Sequence, residues 1–376
     1  MAKLDENKHV VAVIDGDRRH REELSSALLS YYSVESYTTG EEALSHFKVR
    51  LPGAVIIGEE AGKNSAVEVI TRIREHPVIA SVPILVTVSP NNGAVLDAAE
   101  RECAKTLLKP YRRSVLIKVL STLLNDKVEE SWELLSEQPR KALKLSVRVF
   151  NQIADVLASG ETLAYTEVKE SCRPLLSAVA NKEYISILEG VKSHDDYTYA
   201  HSMRVATLLS LFGHSIGFTE DEQLLLASGG LLHDVGKMAI PHEILNKPGK
   251  LEPSEFEIMK SHVAETMKYL KASGDIHKAV MIIAEQHHEK LNGMGYPHGL
   301  RGSQLNELAR MSAIVDVFSA LTDRRVYKPA MDPVVAFRIM TQEMTDHLDQ
   351  RYVKVFRDIL GDAGILAGDA GSSGEK

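Results

Sequence analysis

The sequence is poor in cysteine, in excess positive charge and in long hydrophobic runs. Its 376 residues include only two cysteines, Cys103 and Cys172, and neither is part of a CxxC pair. This excludes a disulfide framework and a thiolate metal site, and it fits a reducing, cytoplasmic setting. The 44 basic residues are outnumbered by 52 acidic ones, which gives a net charge of −8. A broad basic surface for a nucleic acid polymer is therefore not expected.

Membrane insertion and secretion are not expected either. No apolar segment approaches the roughly 20 residues that cross a bilayer, and the uncharged apolar segment at 224–232 has the length of a core helix. The first residues lack the hydrophobic region and the cleavage site of a signal peptide.

Histidine, in contrast, is concentrated in one part of the chain. Ten of the 15 histidines lie between positions 194 and 298, where about 4 would be expected from even scattering. This concentration indicates a site that uses imidazole side chains.

The distribution of hydrophobic residues predicts two domains of different class. Over 9–124, short β-branched runs alternate with segments of helical period, which is typical of a doubly wound α/β domain with a parallel sheet. The predicted strands are 10–14, 33–37, 54–57, 84–88 and a weak one at 106–108. Beyond 126 the β pattern ends, and the remaining periodicity predicts an all-α fold.

The predicted domain organisation follows from this change. The segments are a domain at 1–125, a helical linker at 126–174, a helical domain at 175–362 and a disordered tail at 363–376. The linker pattern indicates one or two amphipathic helices interrupted by Pro139. The tail is rich in Gly, Ala and Ser, a composition typical of disorder.

The first domain resembles the receiver domain of response regulators over roughly 115 residues. The resemblance rests on Asp15-Gly16-Asp17 after the first strand and on Lys109 before a proline after the fifth. Receivers hold magnesium with an acidic pair after strand one and accept a phosphoryl group on an aspartate after strand three. Here a glycine separates the acidic pair, and Gly58 stands at the acceptor position, so no acyl phosphate can form there.

Glu59 is the neighbour of the missing acceptor. Because a residue next to the strand end points to the other side, we expect Glu59 to be out of register with Lys109. A hydroxyl side chain is also expected after the fourth strand of a receiver, but here the usual spacing lands between Thr87 and Ser89. We therefore predict a pseudo-receiver that serves in dimerisation or partner binding, with phosphorylation at Glu59 or Asp15 as the alternative.

The second domain contains histidines and aspartates on or beside apolar helical stripes. They are His201, His233, Asp234, His262, His287, His288 and Asp316. Each would cost several kcal/mol if buried without a partner. A lone histidine in such a setting is more often a structural core residue, but metal coordination satisfies all seven together.

The motif HDVGK at 233–237 directly follows an apolar helix. If the helix continues, His233 and Asp234 point about 100° apart, and Lys237 returns to the face of His233. A lysine in that place suits a phosphate held between metal ions.

A second motif indicates a family. HHEKLNGMGYP at 287–297 resembles the HHExxDGxGYP signature of the HD-GYP family, within the HD superfamily of metal-dependent phosphohydrolases. Members of this family hydrolyse the bacterial second messenger cyclic di-GMP. With HDVGK upstream, and with Asp316 and the run at 321–328 downstream, the resemblance spans about 170 residues. It implies that an all-α HD-type helical domain follows the receiver-like domain.

The resemblance implies a site with two divalent metal ions. The implied ligands are His201, His233 and Asp316 for one ion and His262, His287 and His288 for the other, with Asp234 bridging both. Lys237, Arg325 and Lys328 match positions that hold the substrate phosphate, and Tyr296 lies in the loop that lines the pocket. Imidazole and carboxylate ligands without thiolate favour iron or manganese, with nickel, cobalt or zinc as alternatives.

The implied reaction is the hydrolysis of cyclic di-GMP to linear pGpG, with a second cut to GMP left open. Two cations would activate a bridging water, and Lys237 would neutralise charge on the phosphoryl oxygens, so Asp234 and Lys237 are the candidate catalytic residues. One alternative is a hydrolase of another cyclic dinucleotide, such as cyclic GMP-AMP. Another is a weakly catalytic effector that binds cyclic di-GMP. A homodimer through the receiver-like domain or the linker helices is expected.

Three positions depart from the family pattern. Tyr197 stands where some members have a glutamate that binds a third metal, so we predict two metals. Asn292 replaces a common aspartate and Val326 the usual proline, and both changes are expected to alter loop stiffness or rate. Five other histidines are predicted bystanders: His194, His214, His242, His277 and His298.

Overall fold

A computed structural model describes residues 9–29, 31–61, 64–159, 164–247, 249–274, 276–323 and 330–366. The chain forms two compact units, of which the first ends at Glu130 and the second begins at Ser131. None of the helices in these described ranges has both the length and the apolar character needed to cross a membrane.

The first unit has the predicted doubly wound α/β fold. Its elements are β1 (Val10–Ile14), α1 (Arg18–Leu28), β2 (Ser33–Tyr37), α2 (Gly40–Phe47), β3 (Ala54–Gly58), β4 (Glu60–Ala61), β5 (Asn64–Ser65), α3 (Ala66–Glu75), β6 (Ile84–Val88), α4 (Gly93–Arg101), β7 (Lys105–Leu108) and α5 (Arg113–Ser131). Five strands form a parallel sheet in the order β2-β1-β3-β6-β7, while β4 and β5 form a separate antiparallel pair.

The central strands are hydrophobic throughout because helices cover both faces of the sheet. Every residue of β1, β3 and β6 is buried. Val55 and Ile57 point into one core, and Ala54 and Ile56 into the other. In a parallel sheet the carboxyl ends of the strands meet at one edge, so the residues that follow β1, β3, β6 and β7 are brought together there.

The second unit is all-α, as predicted. Its helices are α6 (Glu137–Ser159), α7 (Tyr165–Ala180), α8 (Tyr184–Val191), α9 (Tyr197–Ser215), α10 (Glu220–Leu232), α11 (His242–Leu245), α12 (Pro253–Ala272), α13 (Lys278–Gln286), α14 (Glu307–Thr322), α15 (Pro333–Gln342) and α16 (Gln350–Asp362). Phenylalanines join four of them: the Phe356 ring lies 5.3 Å from Phe212 and 5.4 Å from Phe318, and Phe337 lies 5.0 Å from Phe318. This packing places α9 against α14.

The predicted interruption at Pro139 is wrong. Pro139 lies in the first turn of α6, where a residue without an N–H group leaves no hydrogen bond unmade. The helical path is instead broken at the 3-10 turn Trp132–Leu134. From Ser131 onward, the segment predicted as a linker is part of the second unit.

Candidate metal centre

The structure brings the seven histidines and aspartates singled out in the sequence into two adjacent groups. The first contains His201, His233 and Asp316, and the second contains Asp234, His262, His287 and His288. Within each group, one potential ligand atom of every residue lies within 4.8 Å of the others. All seven are buried except His288, which is half-buried.

Helix ends determine much of this geometry. His201 and His262 lie within α9 and α12, and Asp316 lies within α14. The other four residues directly follow helices: His233 and Asp234 follow α10, and His287 and His288 follow α13.

The HDVGK motif does not continue α10, contrary to expectation. The helix ends at Leu232, and Val235–Ala239 forms a 3-10 turn. The Lys237 ammonium therefore donates to the Asp234 carboxylate instead of returning to the face of His233. Glycine is required at position 236, because a Cβ there would lie 2.0 Å from the His262 carbonyl oxygen. The turn thus packs its backbone directly on α12.

The carboxylate of Asp234 lies between the two groups. Its Oδ2 is 3.2 Å from His233 Nε2 and 3.8 Å from His201 Nε2, in the first group. Its Oδ1 is 3.2 Å from His262 Nε2 and 3.7 Å from His287 Nε2, in the second group. Each oxygen therefore faces one group of imidazoles.

Asp316 also contacts both groups. Its Oδ1 lies 2.9 Å from His201 Nε2 and 3.9 Å from His233 Nε2, and its Oδ2 lies 3.7 Å from His288 Nδ1. The two carboxylates, Asp234 and Asp316, thus lie among five imidazole rings.

The centre contains buried polar atoms that the protein itself does not satisfy. His233 Nε2, Asp234 Oδ1, His262 Nε2 and His287 Nε2 make no hydrogen bond. Buried orphan atoms of this kind are rare and costly in native proteins, and coordination to a cation is one way to satisfy them together. The donor set of imidazole and carboxylate suits a transition metal, so the residues fit the metal ions that the sequence implies.

The protonation states of three of these residues suit metal binding, whereas His201 must lose a proton, because burial is outweighed by Asp316 and Asp323, which raise its pKa to about 9. Burial lowers the pKa of His287 well below its usual range and that of His288 to about 3, so both rings are neutral at pH 7. Burial opposes ionisation of Asp234, but Lys237 and His233 outweigh it and lower the pKa of that carboxyl. Metal ligands must be deprotonated in this way.

The glycine-rich loop after α13 is held by Glu289, a residue to which the sequence gave no role. The Glu289 side chain is buried, and its carboxylate accepts hydrogen bonds from the backbone N–H groups of His298, Gly299 and Leu300 at 2.7–3.1 Å. Tyr296 lies in this loop, and its ring is 4.7 Å from that of His288. Glu289 therefore fixes the segment that places Tyr296 beside the second group.

The other predicted positions are not members of either group or lie outside the described residues. Arg325, Val326 and Lys328 lie outside the described residues. Tyr197 stacks on His201 at 5.7 Å, and Asn292 Nδ2 donates to Asp346 at 2.9 Å. The five histidines predicted as bystanders belong to neither group: His194, His214, His242, His277 and His298.

The carboxyl edge of the sheet in the first unit differs from the prediction for Glu59. Its carboxylate lies 3.3 Å from Lys109 Nζ and accepts hydrogen bonds from Ser89 N and Oγ, both at 2.8 Å, and from Asn92 Nδ2 at 3.1 Å. The expectation that Glu59 is out of register with Lys109 is therefore wrong. The loop that follows β3 turns the Glu59 side chain back toward the ends of β6 and β7.

The acidic residue after β1 is also engaged within the protein. Asp15 Oδ2 lies 2.5 Å from His20 Nδ1, and His20 Nε2 lies 2.8 Å from the Tyr111 hydroxyl. A larger residue at position 58 would force Asp15 to move, because a Cβ there would lie 1.9 Å from Asp15 Oδ2. Asp15 thus occupies the space that an acceptor side chain at position 58 would need.

Comparisons with known proteins identify the helical unit. The HD domain family model matches residues 187–352. The chain is 36% identical to the cyclic di-GMP phosphodiesterase PA4108 of Pseudomonas aeruginosa, over 46% of this chain and 41% of that protein. It is 34% identical to the 3'3'-cGAMP-specific phosphodiesterase 3 of Vibrio cholerae, over 42% of this chain and 34% of that protein.

The match to a third relative is long enough to include parts of both units. The chain is 32% identical to the cyclic di-GMP phosphodiesterase response regulator RpfG of Xanthomonas campestris, over 72% of this chain and 66% of that protein. The chain thus spans less than two thirds of the length of each of these three relatives.

The fold and the matched domain define the class as an HD-domain protein. The HD domain matches residues 187–352, and a receiver-like α/β domain precedes it. The motifs of this HD domain resemble those of the HD-GYP family.

Proposed function

We propose that this protein is a metal-dependent phosphodiesterase that hydrolyses cyclic di-GMP to linear pGpG, with a second cut to GMP left open. The observation that carries the proposal is the position of Asp234, whose two oxygens face two separate groups of buried imidazoles. A pair of metal ions bridged by one carboxylate is an arrangement suited to in-line displacement at phosphorus.

Two divalent cations would be held in this centre. His201, His233 and Asp316 would bind one, His262, His287 and His288 the other, and Asp234 both. When bound, the cations would supply Lewis-acid activation of water and of the phosphoryl oxygens. Iron or manganese is the proposed identity, with nickel, cobalt or zinc as alternatives.

The protein's own side chains would bind and orient the substrate. The Lys237 ammonium, which contacts Asp234, has further N–H donors for a non-bridging phosphoryl oxygen. Tyr296, beside His288, would line the pocket. Arg325 and Lys328 remain predicted phosphate-binding residues from the sequence motif. Such contacts fix the phosphodiester next to the metal centre and neutralise its developing charge.

The second candidate activity is hydrolysis of cyclic GMP-AMP. A relative named as a 3'3'-cGAMP-specific phosphodiesterase supports it, at 34% identity. A weakly catalytic effector that binds cyclic di-GMP is the other alternative. Turnover of each cyclic dinucleotide by the purified full chain, with Mn²⁺ or Fe²⁺ and chromatography of the linear products, separates these three possibilities.

The experiment that tests the main proposal is the substitution Asp234→Ala. We expect it to abolish turnover of cyclic di-GMP and to remove bound metal, while the circular dichroism spectrum stays that of the parent protein. Asp358→Ala, which removes an exposed carboxylate on α16, is the matched control and should retain both properties. Activity that survives in Asp234→Ala would show that the site is wrongly assigned.

For the first unit, we propose a pseudo-receiver that acts in dimerisation or in binding a signalling partner. Two observations support this role. Gly58 stands at the acceptor position, and the Asp15 carboxylate is already paired with His20. Phosphorylation at Glu59 or Asp15 is the alternative, and a mass increase after treatment with acetyl phosphate would favour it. We also propose a cytoplasmic location, which the two free cysteines support.

A further inference from the structure

His201 is held differently from three other histidines of the centre. His233, His262 and His287 each have Nδ1 within 2.6–2.9 Å of the backbone carbonyl oxygen three residues earlier. Nδ1 of His201 instead lies 2.8 Å from Oδ2 of Asp323. His201 therefore has an anionic partner where the other three have a neutral one.

Asp323 is fixed in place from two directions. It directly follows α14, seven residues after Asp316, so the two aspartates lie on the same side of that helix. Its Oδ1 lies 3.0 Å from Arg204 Nε, and an outer nitrogen of Arg204 donates to Thr322 Oγ1 at 3.0 Å. The side chains of Asp323 and Arg204 are only 12% and 17% exposed. A charge this well enclosed acts strongly on the ring it contacts.

Both nitrogens of the His201 ring thus face a carboxylate. Its Nε2 faces Asp316 at 2.9 Å and Asp234 at 3.8 Å, which is the side of the first group. A ring that binds a cation through Nε2 carries its one proton at Nδ1, where the Asp323 carboxylate can accept it. The lone pair of Nε2 is then directed toward the position of a cation in the first group.

We propose that Asp323 is a positioning residue that strengthens metal binding at the first group by orienting His201 and fixing its tautomer. This inference rests on the metal centre of the proposed function. Asp323 forms no hydrogen bond or ion pair with the four residues of the second group, so we expect its effect at one of the two metal positions. Partners of this kind change metal affinity by about 10- to 100-fold.

The test is a metal titration of the full chain. Protein stripped with a chelator is titrated anaerobically with Mn²⁺ by calorimetry, and bound manganese is measured after desalting. Asp323→Asn keeps the size and one acceptor oxygen but removes the charge, whereas Asp323→Ala removes both. Asp358→Asn, an exposed aspartate on α16, is the matched control. Circular dichroism verifies that each variant is folded.

We expect two Mn²⁺ per chain in the parent protein and in the control. In Asp323→Asn one Mn²⁺ keeps its affinity and the other binds about 10- to 100-fold more weakly, and Asp323→Ala is at least as weak at that site. Unchanged binding in both variants, or equal weakening at both sites, overturns the inference and leaves the proposed function intact. A parent protein that binds no Mn²⁺ would instead contradict the proposed metal centre itself.

Discussion

Glu59 and Lys109 form an ion pair of 3.3 Å at the carboxyl edge of the sheet in the first unit. Ser89 donates to the same carboxylate through its backbone N–H and its hydroxyl. Glu59, which the sequence placed out of register, is therefore in contact with Lys109, the lysine of the receiver motif. A carboxylate is thus present at this edge without any phosphorylation.

The first prediction concerns the missing acceptor. Gly58→Asp should not create a working phosphorylation site, because its Cβ would collide with Asp15, which is buried and held by His20. We expect the free energy of unfolding to fall by about 1–3 kcal/mol, the usual cost of overpacking a core. Denaturant unfolding of the full chain measures this change.

The matched control for that variant is Gly93→Asp. A Cβ at position 93 meets no atom within 4 Å, and the residue begins α4, where an acidic side chain is favourable. Its stability should be unchanged or slightly higher. Equal stability of Gly58→Asp and the parent protein would show that Asp15 can move aside.

The second prediction concerns stabilisation by metal. Within the protein, nitrogens of His233, His262 and His287 have no hydrogen-bond partner, so a cation that binds there should stabilise the folded state. At a free Mn²⁺ concentration 100 times the dissociation constant, each site should contribute about 2.7 kcal/mol to the free energy of unfolding. Thermal unfolding with and without Mn²⁺ provides the measurement. His262→Ala should show a smaller shift, while exposed His214→Ala should behave like the parent.

The third prediction concerns the loop that contains Tyr296. Glu289→Ala leaves three backbone N–H groups without their charged acceptor. We expect the free energy of unfolding to fall by about 2–3 kcal/mol. Because this loop contains Tyr296, KM should rise, while the amount of bound metal should change less. Glu285→Gln is the control, because Glu285 forms a more exposed pair with His298 at 3.2 Å and should change stability by less than about 1 kcal/mol.

The fourth prediction concerns pH. Hydrogen bonds from Arg351, together with Arg310, lower the pKa of Asp349 to about 2 against the opposing effect of burial. Because the folded-state pKa lies below the unfolded value of 3.8, this contribution is complete above pH 4 and is lost as the pH falls toward 2. The difference corresponds to about 2 kcal/mol at pH 7.

Asp349→Asn tests this prediction through the pH dependence of unfolding. The variant should be less stable than the parent by about 2 kcal/mol at pH 7, and the two proteins should converge near pH 2. A difference that persists at pH 2 would mean that the contact acts through shape and neutral hydrogen bonding instead of charge.

Much of the fold could be predicted because the patterns are local. The three central strands of the first unit are apolar, mainly β-branched runs, and the structure has the five strands at 10–14, 33–37, 54–58, 84–88 and 105–108. The clustering of the seven histidines and aspartates was also accessible, since buried polar residues on several apolar stripes have few other ways to be satisfied.

The contacts that sequence reasoning missed are long-range. The pairing of Glu59 with Lys109 depends on how the loop after β3 turns, and the end of α10 before His233 depends on packing against α12. Asp323 reaches His201 across 122 positions, and no local pattern signals that contact. Glu289 lies within a recognised motif, but its role depends on three backbone groups of a folded loop.

The single tryptophan of the chain offers a built-in optical reporter. Trp132 is fully buried in the second unit, where its Nε1 donates to the Gly190 carbonyl at 2.9 Å and its ring stacks on His194. Since the first unit has no tryptophan, fluorescence excited at the indole band follows the unfolding of the helical unit alone. Far-ultraviolet circular dichroism follows both units. If the two probes report unfolding midpoints that differ, the stability of the sheet domain can be separated from that of the helical domain without any added label.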